Sequence, residues 1–179
     1  DDMLRVFVKV LEQNPSAHLN IVGDGEERHN LSVLADRLGI ADSVTFYGNK
    51  VGKEKSQILE NTSVFVTTSH YESFGLVLLE AMDYGIPCLS FDSAKGSLDI
   101  IEDGKDGYII KNRDLDQMAN KLVELLNNPS KELSKNAKDK ANSYSYENVR
   151  KQWLDAFKNM NIHDLKTRVM FTSSAGGHY

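Results

Sequence analysis

The stretch that decides the fold runs from residue 72 to residue 80 and reads Glu-Ser-Phe-Gly-Leu-Val-Leu-Leu-Glu. The segment just before it, residues 63–67, reads Ser-Val-Phe-Val-Thr, an apolar run typical of a buried β-strand. From Gly75 onward the apolar spacing predicts a helix over residues 75–84, which ends at Gly85. A strand, a loop with a carboxylate and a helix that begins at a glycine are therefore predicted in direct succession.

This succession suits a phosphorylated ligand that carries hydroxyl groups. The first N–H groups of a helix are unpaired and lie at the positive end of the helix dipole, where they attract phosphate. The carboxylates of Glu72 and Glu80 can accept hydrogen bonds from hydroxyls. Glu80 lies about 7.5 Å along the helix axis from Gly75, so a hydroxyl bound by Glu80 and a phosphate at the helix start would be contacted at separate points. These residues predict a nucleotide-sugar site; the alternative is that Glu72 is only a helix-start carboxylate and Glu80 a surface salt-bridge partner.

Helical and strand patterns alternate along most of the chain. Strands joined by helices through short links form a parallel sheet that is covered on both faces. The predicted fold class is therefore α/β, with a doubly wound, Rossmann-like parallel sheet whose ligands bind at the carboxyl ends of the strands. Strands are predicted at residues 18–22, 43–47, 63–67, 87–91 and 107–110, and helices at 3–13, 26–38, 53–60, 75–84, 98–102, 114–126, 130–142 and 146–160.

Composition and charge exclude several classes of protein. The chain has 179 residues, of which 40% are hydrophobic and 26% charged, and its net charge is −5. The negative charge argues against nucleic acid as a partner. The single cysteine, Cys88, excludes an internal disulfide, fits a reducing compartment and is interpreted as a core thiol. No apolar run approaches the roughly 20 residues of a membrane span, and we expect a cytoplasmic protein.

The five histidines show no spacing typical of metal ligands, so no metal site is expected. Only His70, close to Glu72 in the sequence, is predicted to lie near the ligand, and a solvated loop histidine is the competing interpretation.

Several motifs resemble, in the same order, the C-terminal, donor-binding half of glycosyltransferase family 4, whose members have the two-domain GT-B fold. The resemblance covers residues 18–157 and implies that residues 1–163 form a nucleotide-sugar-binding domain. Its marks are Ile21-Val-Gly-Asp-Gly-Glu26, Val44-Thr-Phe-Tyr-Gly48, Glu72-Ser-Phe-Gly75, Leu79-Glu-Ala-Met82 with Gly85-Ile-Pro87, and Ile101-Glu-Asp-Gly104 with Gly107.

The resemblance implies a role for each matching residue. Glu72 corresponds to the glutamate that faces the donor sugar and is the expected catalytic residue, as an orienting and electrostatic group rather than a nucleophile. Glu80 corresponds to the glutamate that bonds the ribose hydroxyls. The implied reaction is sugar transfer with retention of anomeric configuration, without an obligatory metal ion or cofactor. The other implied donor-binding residues lie against the sugar and diphosphate (Phe74, Gly75 and Leu76) or near the base (Gly48, Asn49, Lys50 and Val51).

Residues 90–101 indicate which donor to expect. They read Ser-Phe-Asp-Ser-Ala-Lys-Gly-Ser-Leu-Asp-Ile-Ile and are similar to a subgroup of the family, although Ser97 stands where that subgroup often has proline. Many members of the subgroup use UDP-sugars to build bacterial surface glycans. A UDP-sugar donor and a glycan or lipid-linked acceptor are therefore the favoured partners.

The chain departs from the family pattern at its beginning. Because it starts in its first predicted helix, the resemblance implies that the first strand of this half is missing, with the cations that neutralise the donor diphosphate. The N-terminal acceptor-binding half, through which association with the inner face of a membrane is expected, is missing too. We therefore expect these 179 residues alone to be inactive. Lys50, Lys53 and Lys95 could supply part of the missing charge, but solvated loop lysines are the simpler interpretation.

The last residues form a separate predicted segment, 164–179, with an extra strand and a glycine-rich turn. Residues 169–178 resemble the start of a second GT-B glycosyltransferase. Two hypotheses remain for this segment: a truncated second domain, or a tail that adds a strand to the sheet.

Two further function classes stay open. One is a binding module that holds a nucleotide or nucleotide sugar without catalysis. The other is a nucleotide-free, flavodoxin-like regulatory domain, which is disfavoured because no acidic phospho-acceptor cluster follows the first strands.

Overall fold

The computed structural model describes residues 1–159, which fall into two compact units, residues 1–144 and a unit that begins at Ser145. In the second unit the described part is one helix, α8 (Tyr146–Asn159). The predicted segment 164–179, with its resemblance over residues 169–178, lies outside the described residues.

The first unit alternates helices and strands in the order that the sequence predicts. Short 3₁₀ helices at Ala41–Ser43 and Lys111–Arg113 interrupt the alternation. The strands are β1 (Leu19–Val22), β2 (Val44–Gly48), β3 (Phe65–Thr67), β4 (Cys88–Phe91) and β5 (Gly107–Ile110). The helices are α1 (Asp2–Gln13), α2 (Arg28–Arg37), α3 (Gly52–Glu60), α4 (Leu76–Asp83), α5 (Lys95–Ile100), α6 (Leu115–Asn127) and α7 (Lys131–Ser143).

Every strand pair in this unit is parallel. β1 pairs with β2, and β3, β4 and β5 form a second sheet in that order. The predicted α/β class and its parallel, Rossmann-like pairing are confirmed, with the strands divided between two sheets.

A cavity of about 1070 Å³ lies along two of the edge strands, β1 and β3. Its lining includes all four residues of β1 and all three of β3, and it also includes residues 61–63 before β3 and residues 68–70 after it. The cavity therefore extends along the strands to their carboxyl ends, where parallel sheets place their ligand sites.

The core consists of two apolar clusters. In the larger cluster, α1 packs on α6, and Leu4 and Val10 of α1 lie with Met118 and Leu122 of α6. In the smaller cluster, α4 packs on α7 through a set of fully buried side chains. Burying one such side chain contributes about 1.5–3 kcal/mol. Because α4 carries Leu78, Ala81 and Met82 into this second cluster, the helix that follows the predicted site loop has a fixed position.

Helix α5 begins earlier than predicted, at Lys95 rather than Leu98, and ends at Ile100 rather than Glu102. In the structure Gly96 lies in the first turn of α5, against the backbone of residues 72–74. A Cβ at this position would lie 2.7 Å from the carbonyl oxygen of Glu72 and 2.8 Å from the nitrogen of Phe74. Glycine is needed here because the two backbones approach each other closely.

Candidate functional site

The loop between β3 and α4, residues 68–75, is called the site loop below. Its last residue, Gly75, has φ +88°, a left-handed conformation that favours glycine. The carbonyl oxygen of Glu72 accepts the N–H of Gly96 at 2.9 Å. Oε1 of Glu72 accepts the N–H of Gly75 at 3.0 Å. The predicted loop-to-helix junction is therefore present, and it is held by hydrogen bonds from both of its sides.

Glu72 thus lies at the start of α4 and bonds its backbone. This position fits the alternative interpretation from the sequence, in which Glu72 is a helix-start carboxylate. Its bond to Gly75 satisfies one of the N–H groups that a helix start leaves unpaired. A carboxylate has about four acceptor positions, so one such bond leaves others for a ligand. The role of Glu72 at a donor sugar stays a prediction.

Glu80 lies on α4, and its Oε2 forms an ion pair with the Nζ of Lys55 on α3. Both side chains remain partly accessible, 49% for Glu80 and 32% for Lys55, so a ligand can reach them. The sequence did not single out Lys55. Its contact joins positions 25 residues apart, and no local pattern marks such a pair.

The structure brings several of the predicted residues to one cavity. Glu80, Asn49, Lys50 and His70 all line the cavity that borders β1 and β3. Lys50 pairs with Oε1 of Glu54 at 2.9 Å. Of the three lysines that the sequence offers as cations for a diphosphate, Lys50 belongs to this lining, whereas Lys53 and Lys95 do not.

The remaining predicted site residues lie outside that lining. Phe74 packs edge-to-face on Tyr144, with ring centroids 5.9 Å apart. Leu76 and Val51 are among the most exposed apolar side chains of the described part of the chain. The predicted residues that do not line the cavity are Glu72, Phe74, Gly75, Leu76, Gly48 and Val51.

Gly48 shapes the turn that leads to Asn49 and Lys50. It has φ +68°, and its carbonyl oxygen accepts the N–H of Gly23 at 2.9 Å. A Cβ at this position would lie 2.9 Å from Nη1 of Arg28. A glycine therefore lets the loop after β2 leave the sheet beside Arg28, and Asn49 and Lys50 follow it into the cavity.

Arg113 is a second residue that sequence reasoning missed. It lies after β5, lines the same cavity and contacts the start of the site loop. Both Asn112 and Arg113 have positive φ, +55° and +51°, which is uncommon for residues other than glycine. The only local signal is Asn112, because asparagine adopts this conformation more readily than most residues. The guanidinium of Arg113 donates to the side chains of Asp2 and Ser93 and to the carbonyl oxygens of Thr68 and Ser69.

Two buried polar groups lie away from the cavity. Cys88 is fully buried; burial, with a smaller contribution from the charge of Asp106, raises the pKa of its thiol far above the ordinary value, as expected for a core thiol. Asp106 is 1% exposed; its Oδ1 accepts the N–H of Glu102 at 2.8 Å, and its Oδ2 lies 3.4 Å from Nζ of Lys140. Both groups serve packing and have no access to the cavity.

Within residues 1–159, no group of three or more His, Cys, Asp or Glu side chains is placed to hold a metal ion. No helix in the same range has both the length and the apolar character needed to cross a membrane.

Comparison with known proteins gives consistent results. Residues 1–144 match the family model of the glycosyl transferases group 1. The chain is 32% identical over 155 residues to an uncharacterized glycosyltransferase of Haemophilus influenzae. It is 30% identical over 160 residues to the poly(ribitol-phosphate) alpha-N-acetylglucosaminyltransferase of Staphylococcus aureus. These matches cover 86% and 88% of this chain.

The fold matches solved structures as well. The crystal structure of the pneumococcal O-GlcNAc transferase GtfA in complex with UDP and GlcNAc superposes with a TM-score of 0.77 and 26% identity, over 92% of this chain. This chain covers 33% of that structure, and 43% and 32% of the two relatives named above. It therefore spans less than half the length of the proteins it matches. A match of this extent shows that the chain belongs to the glycosyl transferases group 1 family and corresponds to the donor-binding, Rossmann-like half of its GT-B fold.

Proposed function

We propose that this chain is the donor-binding part of a retaining glycosyltransferase that moves a sugar from a UDP-sugar to a glycan or lipid-linked acceptor during surface polysaccharide biosynthesis. One observation carries the proposal: Glu80, Asn49, Lys50 and His70 line one cavity at the carboxyl ends of β1 and β3. The residue proposed to bind the ribose and two residues of the proposed base loop, one of them a lysine, therefore line one cavity at the edge where parallel sheets bind nucleotides.

The names of the relatives support the proposed donor and the proposed biological role. The S. aureus relative is named for transferring N-acetylglucosamine to poly(ribitol-phosphate), and the pneumococcal structure holds UDP and GlcNAc. We transfer the donor class from them, and not the acceptor. A Bacillus anthracis relative, 32% identical over 151 residues, is named as an N-acetyl-alpha-D-glucosaminyl L-malate synthase, so acceptors differ among relatives.

In the proposed reaction, the bond between the anomeric carbon and the diphosphate oxygen breaks, and the electron pair leaves with the nucleotide. A bond from the acceptor hydroxyl oxygen to the same carbon forms on the same face, and the hydroxyl proton passes to the departing diphosphate. Glu80 holds the ribose hydroxyls, the first N–H groups of α4 face the diphosphate, and residues 49–51 border the base. Glu72 orients the sugar and stabilises the positive charge that develops at the anomeric carbon.

Calorimetric titration of the 179-residue chain with UDP, GDP and UDP-N-acetylglucosamine tests the donor site. We expect UDP to bind and Glu80→Ala to weaken it about 10-fold or more, because a hydrogen bond to a charged group contributes ~1.5–3 kcal/mol. The matched control is Glu12→Ala, which removes an exposed carboxylate of α1 outside the cavity lining. Equal affinity for UDP in the wild type and Glu80→Ala contradicts the proposed ribose contact, and no binding of any nucleotide favours the regulatory-domain hypothesis.

The runner-up function, a binding module without catalysis, is favoured by the position of Glu72, which bonds its own helix start and does not line the cavity. We propose that the 179 residues alone bind the donor but transfer no sugar, and that transfer requires an N-terminal acceptor-binding half. We also propose that residues 1–163 form the nucleotide-sugar-binding domain and that residues 164–179 are separate from it. A turnover assay with a panel of nucleotide sugars tests whether the 179 residues alone transfer sugar. Repeating the assay with an added N-terminal half tests whether that half restores transfer. Transfer by the 179 residues alone contradicts the first, and binding without restorable transfer supports the binding module.

A further inference from the structure

Arg113 adopts a backbone conformation that bulky residues seldom keep. Its φ is +51°, and the preceding Asn112 has φ +55°. A residue in this region has a higher free energy than in the ordinary backbone conformations. It therefore persists only where contacts with its surroundings stabilise it. The contacts of the side chain show what holds Arg113.

The guanidinium of Arg113 joins three elements of the first unit. Nη2 donates to the carbonyl oxygen of Thr68 at 2.9 Å and to the carboxylate of Asp2, at the start of α1. Nη1 donates to the carbonyl oxygen of Ser69 at 3.3 Å and to Oγ of Ser93, after β4, at 3.0 Å. The planar group also lies over the ring of Phe91, 4.6 Å from its centroid. The side chain is only 20% exposed.

We propose that Arg113 is a positioning residue that fixes the start of the site loop, and with it the direction in which His70 and Glu72 leave β3. The carbonyl oxygens of two successive residues, Thr68 and Ser69, are both held by one rigid, planar fork. The middle of the loop is held at Glu72 by the N–H of Gly96, and its end by the bond from Glu72 to Gly75. Among the described contacts, Arg113 anchors the loop's beginning from a distant part of the chain, and the side chain of Thr67 adds local hydrogen bonds to Ser69.

The same contacts argue that Arg113 does not itself bind the phosphate of a ligand. The two terminal nitrogens of a guanidinium carry four N–H groups. Asp2, Thr68, Ser69 and Ser93 each accept from one of these two nitrogens. The carboxylate of Asp2 also balances the positive charge. Arg113 therefore acts through the loop and not through the ligand.

Three variants isolate this role. Arg113→Gly removes the side chain without adding strain, because a positive φ suits glycine. Asn112→Gly is the matched control: it relieves the neighbouring strained residue and leaves the guanidinium in place. Arg113→Lys keeps the positive charge near Asp2 but lacks the planar fork whose two nitrogens reach the carbonyl oxygens of Thr68 and Ser69 separately.

The first measurement is amide hydrogen exchange by NMR on the 179-residue chain. In Arg113→Gly we expect the amides of Ser69 and Gly75 to exchange about 10-fold faster than in the wild type, while the amides of α6 keep their rates. Asn112→Gly should match the wild type, and Arg113→Lys should recover only part of the protection. Unchanged exchange at Ser69 and Gly75 in Arg113→Gly overturns the proposal. A uniform rise across α6 also overturns it, because that result indicates a general loss of stability.

The second measurement rests on the proposed function. At a temperature where circular dichroism shows all variants folded, the Kd for UDP should rise about 10-fold in Arg113→Gly and stay unchanged in Asn112→Gly. An unchanged Kd for UDP in a variant whose loop amides exchange faster contradicts the link to ligand binding. If the wild-type chain binds no UDP, the proposed function fails, and the exchange rates still decide whether Arg113 positions the loop.

Discussion

The carbonyl oxygen of Glu72 and the N–H of Gly96 form a 2.9 Å hydrogen bond that joins the site loop to the first turn of α5. The approach of the two backbones is so close that any Cβ on residue 96 would meet three backbone atoms of residues 72–74 at 2.7–2.8 Å. The position of the predicted catalytic glutamate therefore depends on the absence of a side chain 24 residues further along the chain.

We expect Gly96→Ala to displace residues 72–74, because these contacts are with backbone and cannot be relieved by a rotamer change. Overpacking of this kind typically costs about 1–3 kcal/mol. Urea denaturation should show a loss in this range, and calorimetry should show weaker UDP binding. The control is Gly25→Ala, since no atom lies within 4 Å of a Cβ at that position. A Gly96→Ala variant as stable as Gly25→Ala would show that the loop tolerates the extra methyl group.

Lys55 should matter for ligand binding more than for stability. Its ion pair with Glu80 is partly exposed, and such pairs contribute about 0–1 kcal/mol to folding. Removing the lysine leaves Glu80 as an uncompensated negative charge beside an anionic ligand. We therefore expect Lys55→Met to weaken UDP binding several-fold while the free energy of unfolding changes by less than about 1 kcal/mol. The effect should be greatest at low salt.

Two comparisons sharpen that test. Lys53→Met removes a lysine of the same helix that does not line the cavity, and it should leave UDP binding unchanged. Lys55→Arg should restore most of the affinity. If Lys53→Met and Lys55→Met weaken UDP binding equally, the effect comes from the net charge of the chain and not from the pair with Glu80.

The order of elements and the site loop could be predicted from the sequence because both depend on local patterns. Apolar periodicity marked α4, and Gly75 marked its start. The direction of Glu72 could not be predicted, since this residue precedes the helix and its orientation is set by the loop. Glu80 lies within α4, so the position of the helix brings it to the cavity lining, and its role at the ribose stays a prediction.

Contacts between residues far apart in the sequence were beyond prediction. Lys55 on α3 forms an ion pair with Glu80 on α4. Arg113, which follows β5, donates to the carbonyl oxygens of Thr68 and Ser69, which follow β3. The division of the strands into two sheets likewise depends on which edges pair, and strand patterns alone do not specify that choice.

Because of Asp2, the free energy of unfolding of the first unit should depend on pH. The hydrogen bond from Arg113 is the main cause that lowers the pKa of this carboxyl, and burial opposes it. Because the pKa is lower in the folded state, the unfolded state binds more protons at acid pH. The stabilising contribution is therefore complete above the ordinary aspartate pKa of about 4 and is lost as the pH falls through the folded value. We expect Asp2→Asn to cost about 1 kcal/mol at pH 7 and progressively less below pH 4.

Urea denaturation of the wild type and Asp2→Asn between pH 7 and pH 3 measures this difference. Asp36→Asn, at an exposed position of α2, is the control and should change stability little at any pH. A cost of Asp2→Asn that stays constant over the whole range would mean that the carboxylate charge is not what stabilises the contact with Arg113.

The buried carboxylate of Asp106 makes Lys140 the lysine of α7 whose loss should be most costly. Asp106 is 1% exposed, its Oδ2 has no hydrogen-bond partner, and Nζ of Lys140 lies 3.4 Å from that oxygen. Lys140→Met removes the compensating charge and leaves a carboxylate in a desolvated position, which typically costs about 3–5 kcal/mol.

Lys138→Met, at an exposed position of the same helix, is the control and should change the free energy of unfolding by less than about 0.5 kcal/mol. The double variant Lys140→Met with Asp106→Asn should recover part of the loss, because a neutral amide is cheaper to bury than an unpaired charge while its oxygen can still accept the N–H of Glu102. Urea denaturation of the wild type, Lys140→Met, Asp106→Asn and the double variant measures the coupling, and strictly additive losses would show that the two side chains do not interact.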